Sequence, residues 1–295
     1  MIKYFLNEYF FEEIDTEEKA YWLGFLYADG NVYYKQTKYG NVRLKLSSKD
    51  RAHLELFLKS LNSNSIIKDG TSNVKYKNII SNSDFSYISL WNTKLSNDLV
   101  NKGCVPNKTF KLVYPKFLTD NLINHFIRGY FDGDGTISIT NNKKRIGKQK
   151  VACKFIGTYN FLSGVQSILE NKGIKSVLFK YNSIFILNIS LRDNNLIKFR
   201  DFLYKNCSIF LERKKVKFDT IKVYDAIKSY RERVRKRAKY KIIQLDKNMN
   251  FINEWNCISD ILDKNYFSRS NISKCCNGKL KTANGYIWKY QKINL

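Results

Sequence analysis

One short motif occurs twice in this chain, and a repeat of that kind restricts the fold to two similar halves. Residues 20–30 read AYWLGFLYADG and residues 125–135 read HFIRGYFDGDG. When the two are aligned, Asp29 pairs with Asp134, a separation of 105 residues. A repeat length of this size indicates two structural units of similar topology. We expect two copies of about 100 residues within residues 1–218.

The correspondence continues beyond the motif. Residues 44–48 (LKLSS) align with residues 153–157 (CKFIG), and residues 106–108 (PNK) align with residues 212–214 (ERK). The last alignment pairs Lys108 with Lys214. A lysine that recurs in step with the aspartates is a better functional candidate than an isolated surface lysine, although a solvated surface charge stays open for either one.

Each copy opens with a predicted helix that has one helical face of small and apolar residues. The small residues lie four positions apart: Gly24 and Ala28 in the first helix, Gly129 and Gly133 in the second. Two such strips would let the helix backbones approach closely and would place Asp29 and Asp134 side by side at the helix ends. Ordinary packing of each helix within its own half is the alternative.

Strand patterns follow each helix, with apolar and basic residues in alternation. The basic positions are Arg43 and Lys45 in the first copy and Lys150 and Lys154 in the second. Each copy is therefore predicted to have the order αββαββα. The whole chain is predicted to have an α+β fold, with antiparallel sheets that are basic on the outward side. These four residues are candidates for contacts with phosphates and guanine edges, and solubilising charge is the alternative.

Paired aspartates at helix C-termini are unfavourable unless a cation is bound. The helix dipole is negative there, and the second carboxylate adds repulsion. Mg²⁺ accepts carboxylate and carbonyl oxygens, so we expect Asp29, Asp134 and the carbonyls of Ala28 and Gly133 as its ligands. A metal pair near a phosphodiester can activate water and stabilise the leaving oxygen. A simple turn is the alternative for either Asp-Gly pair.

The charge of the chain predicts an anionic partner. Lys and Arg total 52 against 26 Asp and Glu, a formal net charge of +26, which favours nucleic acid. No run reaches the ~20 apolar residues of a membrane helix, and the acidic N-terminus resembles no secretion signal. The six cysteines form no CxxC pair and lie far from the two histidines, so neither a zinc site nor a disulfide framework is expected.

The two motifs resemble those of the LAGLIDADG homing endonucleases. The matching stretches are 22–30 (WLGFLYADG) and 127–135 (IRGYFDGDG), and the resemblance covers about residues 1–218. Tyr27 stands where the family motif has its earlier, mainly structural acid, so Asp132 has no counterpart. The resemblance implies a two-motif monomer with two sheets forming a saddle over the DNA major groove. It also implies double-strand cleavage across the minor groove with short 3′ overhangs.

The resemblance assigns roles at matching positions. Asp29 and Asp134 would be the catalytic, metal-binding pair, and Lys108 and Lys214 would lie near the scissile phosphates. A water-organising side chain is expected at Ser48 in the first copy. Its counterpart is Gly157, which has no side chain, so in the second copy this role is absent or passes to Thr158.

The C-terminal region predicts a separate DNA-binding module. Arg235 and Arg237 belong to a charge run in a linker. A hairpin is predicted over residues 242–252, followed by helices at 259–262 and 270–277. This region resembles the NUMOD-type helix-turn-helix repeats of homing nucleases through residues 258–259 (IS), 270–273 (SNIS), 278–279 (GK) and 285–289 (GYIWK). The resemblance implies that the second helix enters the major groove, where the probing side chains would be Arg269, Asn271 and Lys274. A helical cap on the nuclease is the alternative.

The predicted domains are a first repeat at 1–115, a second at 116–218, a basic linker at 219–240 and a module at 241–295. The leading hypothesis is a Mg²⁺-dependent (or Mn²⁺-dependent) monomeric endonuclease that promotes intron mobility, with Ca²⁺ binding but not supporting cleavage. Its partner would be double-stranded DNA with a long pseudo-symmetric site. It would act in the cytoplasm or nucleoid of a bacterium or phage-infected cell, or in an organelle. An RNA maturase bound to intron RNA and a non-catalytic DNA-binding regulator are the alternatives.

Overall fold

The chain divides into two compact units, residues 1–221 and 222–295. The computed structural model describes residues 4–33, 40–76, 79–141, 149–191, 194–220, 240–258, 260–261 and 267–292. Arg235 and Arg237 therefore lie outside the described residues. None of the helices within these ranges has the length and apolar composition that crossing a membrane requires.

The first repeat has the predicted order αββαββα. Its elements are α1 (Glu17–Asp29), β1 (Gly30–Tyr33), β2 (Asn41–Ser47), α2 (Arg51–Ser60), β3 (Lys68–Tyr76), β4 (Ile79–Trp91) and α3 (Thr93–Asn101). The four strands form one antiparallel sheet in the order β1-β2-β4-β3. Apolar residues of β2 point inward beneath α2 and α3, and the alternate residues face outward.

The second repeat has the same elements in the same order. They are α4 (Asp120–Asp134), β5 (Thr136–Asn141), β6 (Gln149–Gly157), α5 (Tyr159–Asn171), β7 (Ser176–Tyr181), β8 (Ile184–Ile189) and α6 (Asn195–Tyr204), and a helix not predicted from the sequence, α7 (Glu212–Thr220), follows. The sheet order β5-β6-β8-β7 matches that of the first repeat. The predicted α+β fold of two pseudo-symmetric repeats is therefore confirmed.

The first residues after α1 and α4 are glycines for a packing reason. Gly30 and Gly135 have φ values of −69° and −68°, which any residue can adopt. A Cβ at Gly30 would instead lie 2.6 Å from the carbonyl oxygen of Leu26, and one at Gly135 would lie 2.4 Å from that of Phe131. The chain turns directly from helix into strand here, and a side chain would collide with the helix just completed.

The helices α1 and α4 pack with their backbones in contact, as the small residues predict. A Cβ at Gly24 would lie 2.0 Å from the carbonyl oxygen of Phe126, and one at Gly129 would lie 2.0 Å from that of Tyr21. No Cβ atom approaches other atoms so closely, so only glycine fits at either position. The small strips therefore join the two repeats, and the alternative of packing within each half is wrong.

The C-terminal unit contains the predicted hairpin and one strand that was not predicted. Its elements are β9 (Tyr240–Leu245), β10 (Phe251–Trp255), α8 (Arg269–Cys276) and β11 (Ile287–Lys292). The strands form an antiparallel sheet in the order β10-β9-β11, and its core includes Ile242, Ile272 and Trp288. The predicted helix at 259–262 lies partly outside the described residues, so a helix-turn-helix stays a prediction.

Replacing Gly129 by alanine should destabilise the protein even though alanine favours helix. Helix propensity alone would add about 1 kcal/mol, whereas the collision with Tyr21 should lower the free energy of unfolding by about 3 kcal/mol. Denaturant titration of Gly129→Ala beside Ser167→Ala, an exposed position of α5, measures the difference. An unchanged or increased stability of Gly129→Ala would show that the helices are not packed this closely.

Candidate active site

The two motif aspartates meet where α1 and α4 end. Asp29 and Asp134 are the last residues of these helices, and both are exposed to solvent. A Cβ at Gly133 would lie 2.3 Å from Cβ of Ala28 and 3.3 Å from Oδ2 of Asp29. The Asp29 carboxylate therefore lies against the last turn of the opposite helix, as the symmetric packing predicts.

Although both residues are accessible to solvent on one side, the protein packed around their carboxyl groups disfavours the charged form. Desolvation by the surrounding helix ends, followed by the charge of Asp134, raises the pKa of Asp29 to about 6, while Lys214, Lys108 and Arg213 oppose the shift. Desolvation likewise raises the pKa of Asp134, while the positive charges of Lys108 and Lys214 lower it. A divalent cation would relieve both effects.

The repeated lysines both reach the helix ends. Lys108 Nζ donates to the carbonyl of Ala28 at 2.6 Å. Lys214 is only 4% exposed, and its Nζ donates to three carbonyls, those of Phe131 (2.6 Å), Gly133 (2.9 Å) and Gly135 (2.6 Å). An ammonium has three N–H donors, so those of Lys214 are all in use. Lys108, half-buried and with one such bond, is the better candidate for a phosphate contact.

This arrangement bears on the predicted metal ligands. The carbonyls of Ala28 and Gly133 already accept hydrogen bonds from the ammonium groups of Lys108 and Lys214. A metal cation bound to these carbonyls would repel the two ammonium groups. No group of three or more His, Cys, Asp or Glu that could hold a metal occurs among the described residues. The donors that fit Mg²⁺ best are therefore the carboxylates of Asp29 and Asp134, with water and phosphate completing the coordination sphere.

Asp132, the acid without a counterpart, is a buried structural residue. Its carboxylate accepts hydrogen bonds from Tyr21 (2.9 Å), Tyr204 (2.6 Å) and the backbone N–H of Leu211 (2.7 Å). Burial raises its pKa, and the hydrogen bonds oppose that shift. Since Tyr21 belongs to α1, this network connects the two repeats. In the first repeat the corresponding Tyr27 donates instead to the carbonyl of Lys102.

A second buried link between the repeats was not predicted from the sequence. Arg128, with no exposed surface, donates to Glu17 of the first repeat (2.7 Å) and to the carbonyls of Leu203 and Ile209 (both 2.9 Å). One feature of the sequence could have revealed this link: Arg128 stands where the first repeat has the apolar Leu23. A charged residue at a position that is apolar in the other repeat requires a partner when it is buried.

Arg213 is another unpredicted residue near the aspartates. Its Nε lies 2.9 Å from both carboxylate oxygens of the buried Asp50, which fixes the base of the side chain. Asn107, the matching residue of the first repeat, has a left-handed backbone with φ of 53°. Arg213 therefore adds positive charge near Asp29 for which the first repeat has no equivalent.

The positions predicted to organise water differ between the repeats. Ser48 is exposed at the start of a short 3-10 turn. Thr158 instead caps α5: its oxygen accepts from the N–H of Phe161 at 3.1 Å and its hydroxyl donates to the carbonyl of Leu112. The Thr158 hydroxyl is thus already engaged, and Gly157 offers no side chain.

The outward face of the first sheet is basic, as predicted. Arg43 and Lys45 are exposed on β2, and both stack on aromatic rings of β4. The Arg43 guanidinium lies 4.4 Å from the ring centre of Tyr87, and Lys45 Nζ lies 3.4 Å from that of Phe85. Stacking restricts these long side chains before any ligand binds. Lys154 is half-buried on β6, and the side chain of Lys150 lies outside the described residues.

The three candidate side chains of the C-terminal unit are exposed on α8: Arg269, Asn271 and Lys274. Ser268 caps the start of the helix, and its hydroxyl accepts from the N–H of Asn271 at 3.4 Å. Ile272 and Cys275 face the core of the unit. The polar side of α8 is thus available to a ligand, and its contact with DNA stays a prediction.

Without metal, Asp29→Asn should stabilise the protein at neutral pH. Between the ordinary pKa of 3.8 and the folded value of about 6, the folded state binds more protons, so the free energy of unfolding of the parent protein falls as pH rises. Asparagine does not titrate. We expect a gain on the order of 1 kcal/mol at pH 7, after discounting for solvent screening, and none below pH 4. Thermal unfolding in a chelator across this range measures it; equal stabilisation at every pH would contradict the assignment.

The two lysines should differ in structural importance. Lys214→Met removes three hydrogen bonds donated by a buried ammonium, whereas Lys108→Met removes one partly solvated bond. We expect Lys214→Met to lower the free energy of unfolding by at least about 2 kcal/mol more than Lys108→Met. Denaturant titration of the matched pair tests this, and equal losses would show that the Lys214 contacts do not contribute.

Comparison with known proteins matches the second repeat to a family model and an unplaced part of the chain to a curated relative. Residues 121–200 match the family model described as a LAGLIDADG-like domain. Probable mobile endonuclease B of Enterobacteria phage T4 is 42% identical over 67 residues, which are 22% of this chain and 25% of that protein. The chain thus spans about a quarter of that relative's length.

Similar solved structures include two complexes with DNA. I-DmoI in complex with DNA and Ca has a TM-score of 0.40 and 20% identity, covering 63% of this chain and 88% of that one. The LAGLIDADG homing endonuclease I-GzeII in complex with its DNA target has a TM-score of 0.45 and 11% identity, covering 72% and 92%. The family match lies within the predicted second repeat, and it shows a LAGLIDADG-like domain at residues 121–200.

Proposed function

We propose that this protein is a site-specific, metal-dependent DNA endonuclease. The observation that carries the proposal is the pair of aspartates, one from each repeat, at the contacting ends of α1 and α4. Two carboxylates with raised pKa values beside the lysines that recur with them are suited to a divalent cation. The match of residues 121–200 to a LAGLIDADG-like domain supports this class of enzyme.

The residues of the site have different roles. Asp29 and Asp134 hold the cation, which when bound activates water and neutralises charge on the phosphate. Lys108, with N–H donors beyond its bond to the carbonyl of Ala28, contacts a phosphate oxygen as negative charge develops. Lys214 fixes the carbonyls around the end of α4 and thereby positions Asp134.

The DNA partner follows from the charge and the sheets. The net charge of +26 attracts a polyanion over the whole chain, and Arg43 and Lys45 stand outward from the first sheet on aromatic supports. Both aspartates come from one chain, so a monomer contains a complete centre. Mg²⁺ or Mn²⁺ would support cleavage, and short 3′ overhangs and a role in intron mobility follow the family expectation.

An RNA maturase and a DNA-binding regulator are the competing functions, and neither requires the paired aspartates. The choice among the three rests on whether DNA is cut. DNA duplexes with a randomised central segment, selected for binding in Ca²⁺ and then transferred to Mg²⁺, supply a substrate without knowledge of the natural site.

Replacing either aspartate should abolish cleavage while leaving binding intact. In Asp29→Asn and Asp134→Asn we expect the cleavage rate on selected duplexes to fall at least about 1000-fold, because a metal ligand is lost, with DNA affinity nearly unchanged. Asp120→Asn, at the opposite end of α4, is the matched control and should cut normally. Full cleavage by either active-site variant would remove these residues from the centre.

The exposed cations of α8 should contribute to DNA affinity. The variant Arg269→Ala/Lys274→Ala is expected to reduce the slope of log affinity against log salt by about 2, since two phosphate contacts are lost, without changing the rate of cleavage of bound DNA. Lys241→Ala, which removes a cation paired with Glu254, serves as the control. An unchanged slope would show that α8 does not contact DNA.

A further inference from the structure

The outward faces of the two sheets differ in chemistry although their strands correspond. In the first sheet, one cross-strand row contains Lys45, Tyr87 and Lys68. In the second sheet, the row through Lys154, the residue aligned with Lys45, contains Lys154, Asn188 and Val177. The outermost lysine of the first sheet is thus replaced by valine.

The neighbouring row, through Ser47, is also more apolar in the second sheet. The first sheet has Ser47, Phe85 and Gly70 in this row, and the second has Ile156, Ile186 and Phe179. On the other side of the lysine row, Arg43 of the first sheet corresponds to Ala152 of the second. Across these positions the first sheet has three basic residues (Arg43, Lys45 and Lys68), whereas the second has one, Lys154, and is otherwise mainly apolar.

The apolar side chains on the outer strand of the second sheet are open to solvent. Val177 is 60% exposed, Phe179 39% and Tyr181 56%. They occupy alternate positions of β7, so they share the face that carries Lys154 and Asn188. An exposed apolar patch of this kind on a soluble fold indicates a binding surface.

The mixture of side chains indicates which ligand this surface fits. In the major groove, the apolar feature of a base pair is the 5-methyl group of thymine, and an asparagine pairs bidentately with adenine. The row of Lys154, Asn188 and Val177 therefore offers one group each for a phosphate, an adenine edge and a thymine methyl. A purely apolar protein partner would leave Lys154 and Asn188 without a matching group.

We propose that the second sheet reads an A·T-rich half-site by contacts of Val177 and Phe179 with thymine methyl groups and of Asn188 with adenine. The first sheet, where stacked Arg43 and Lys45 are the outward groups, reads the other half-site through guanine. This inference rests on the proposed DNA-binding function. The two halves of the target consequently differ in composition although the two repeats share a fold.

Deoxyuridine substitution tests the proposal, because it removes the thymine methyl and keeps base pairing. The full-length protein selects duplexes from a randomised library in Ca²⁺, and thymines of the selected site are then replaced one half at a time. We expect one half-site rich in A·T pairs, and about a fourfold loss of affinity for each contacted methyl removed there. Substitution in the other half should have no effect.

Substitutions on β7 test whether its apolar side chains cause the effect of deoxyuridine. In Val177→Thr and Phe179→Ser the loss caused by deoxyuridine should shrink at the affected positions, whereas Val113→Ser, at an exposed valine outside both sheets, should retain the full loss. Selected sites that are cut in Mg²⁺ but show no effect of deoxyuridine would overturn this inference and leave the proposed function standing. Failure to select or cut any DNA would overturn both. Loss of self-association in Val177→Thr, with unchanged DNA binding, would show that the patch joins copies of the chain instead.

Discussion

The arrangement of this protein depends on the contact between the backbones of α1 and α4. Helix pairs are normally separated by side chains, and here Gly24 and Gly129 remove that separation. The contact places the two helix ends together, so that Asp29 and Asp134 become neighbours without any loop to position them. Because each aspartate is followed at once by a glycine and a strand, the sheets begin at the same point. The candidate centre and the two sheets are therefore fixed by a single interface.

That interface is reinforced by buried polar groups that cross between the repeats. Tyr21 of α1 donates to Asp132 of α4, and Glu17 of α1 accepts from Arg128 of α4. Buried polar groups specify one arrangement when all their partners are present, because any shift leaves a charge unpaired. These links are found on one side of the pseudo-symmetry only. The duplication has thus been retained in the fold and lost in many of the side chains that stabilise it.

Within residues 1–218, the elements that repeat could be predicted from the sequence, and those that occur once could not. The helices, the strands of the sheets and the positions of Asp29, Asp134, Lys108 and Lys214 could be located because each occurs twice. Arg128, Arg213 and α7 occur once, so comparison of the halves could not reveal their partners. The donors of Lys214 could not be assigned either, since its three carbonyl acceptors depend on how the chain folds back after α6. The apolar face of the second sheet was missed because the aligned lysine, Lys154, suggested equal chemistry on both sheets.

We propose that the two aspartates together bind a divalent cation. Electron paramagnetic resonance of Mn²⁺ added to the full-length protein with selected DNA measures this directly. We expect Mn²⁺ bound by the parent complex to be lost or greatly weakened in Asp29→Asn and also in Asp134→Asn, with Asp120→Asn behaving as the parent. Mn²⁺ binding of unchanged affinity in both active-site variants would contradict it.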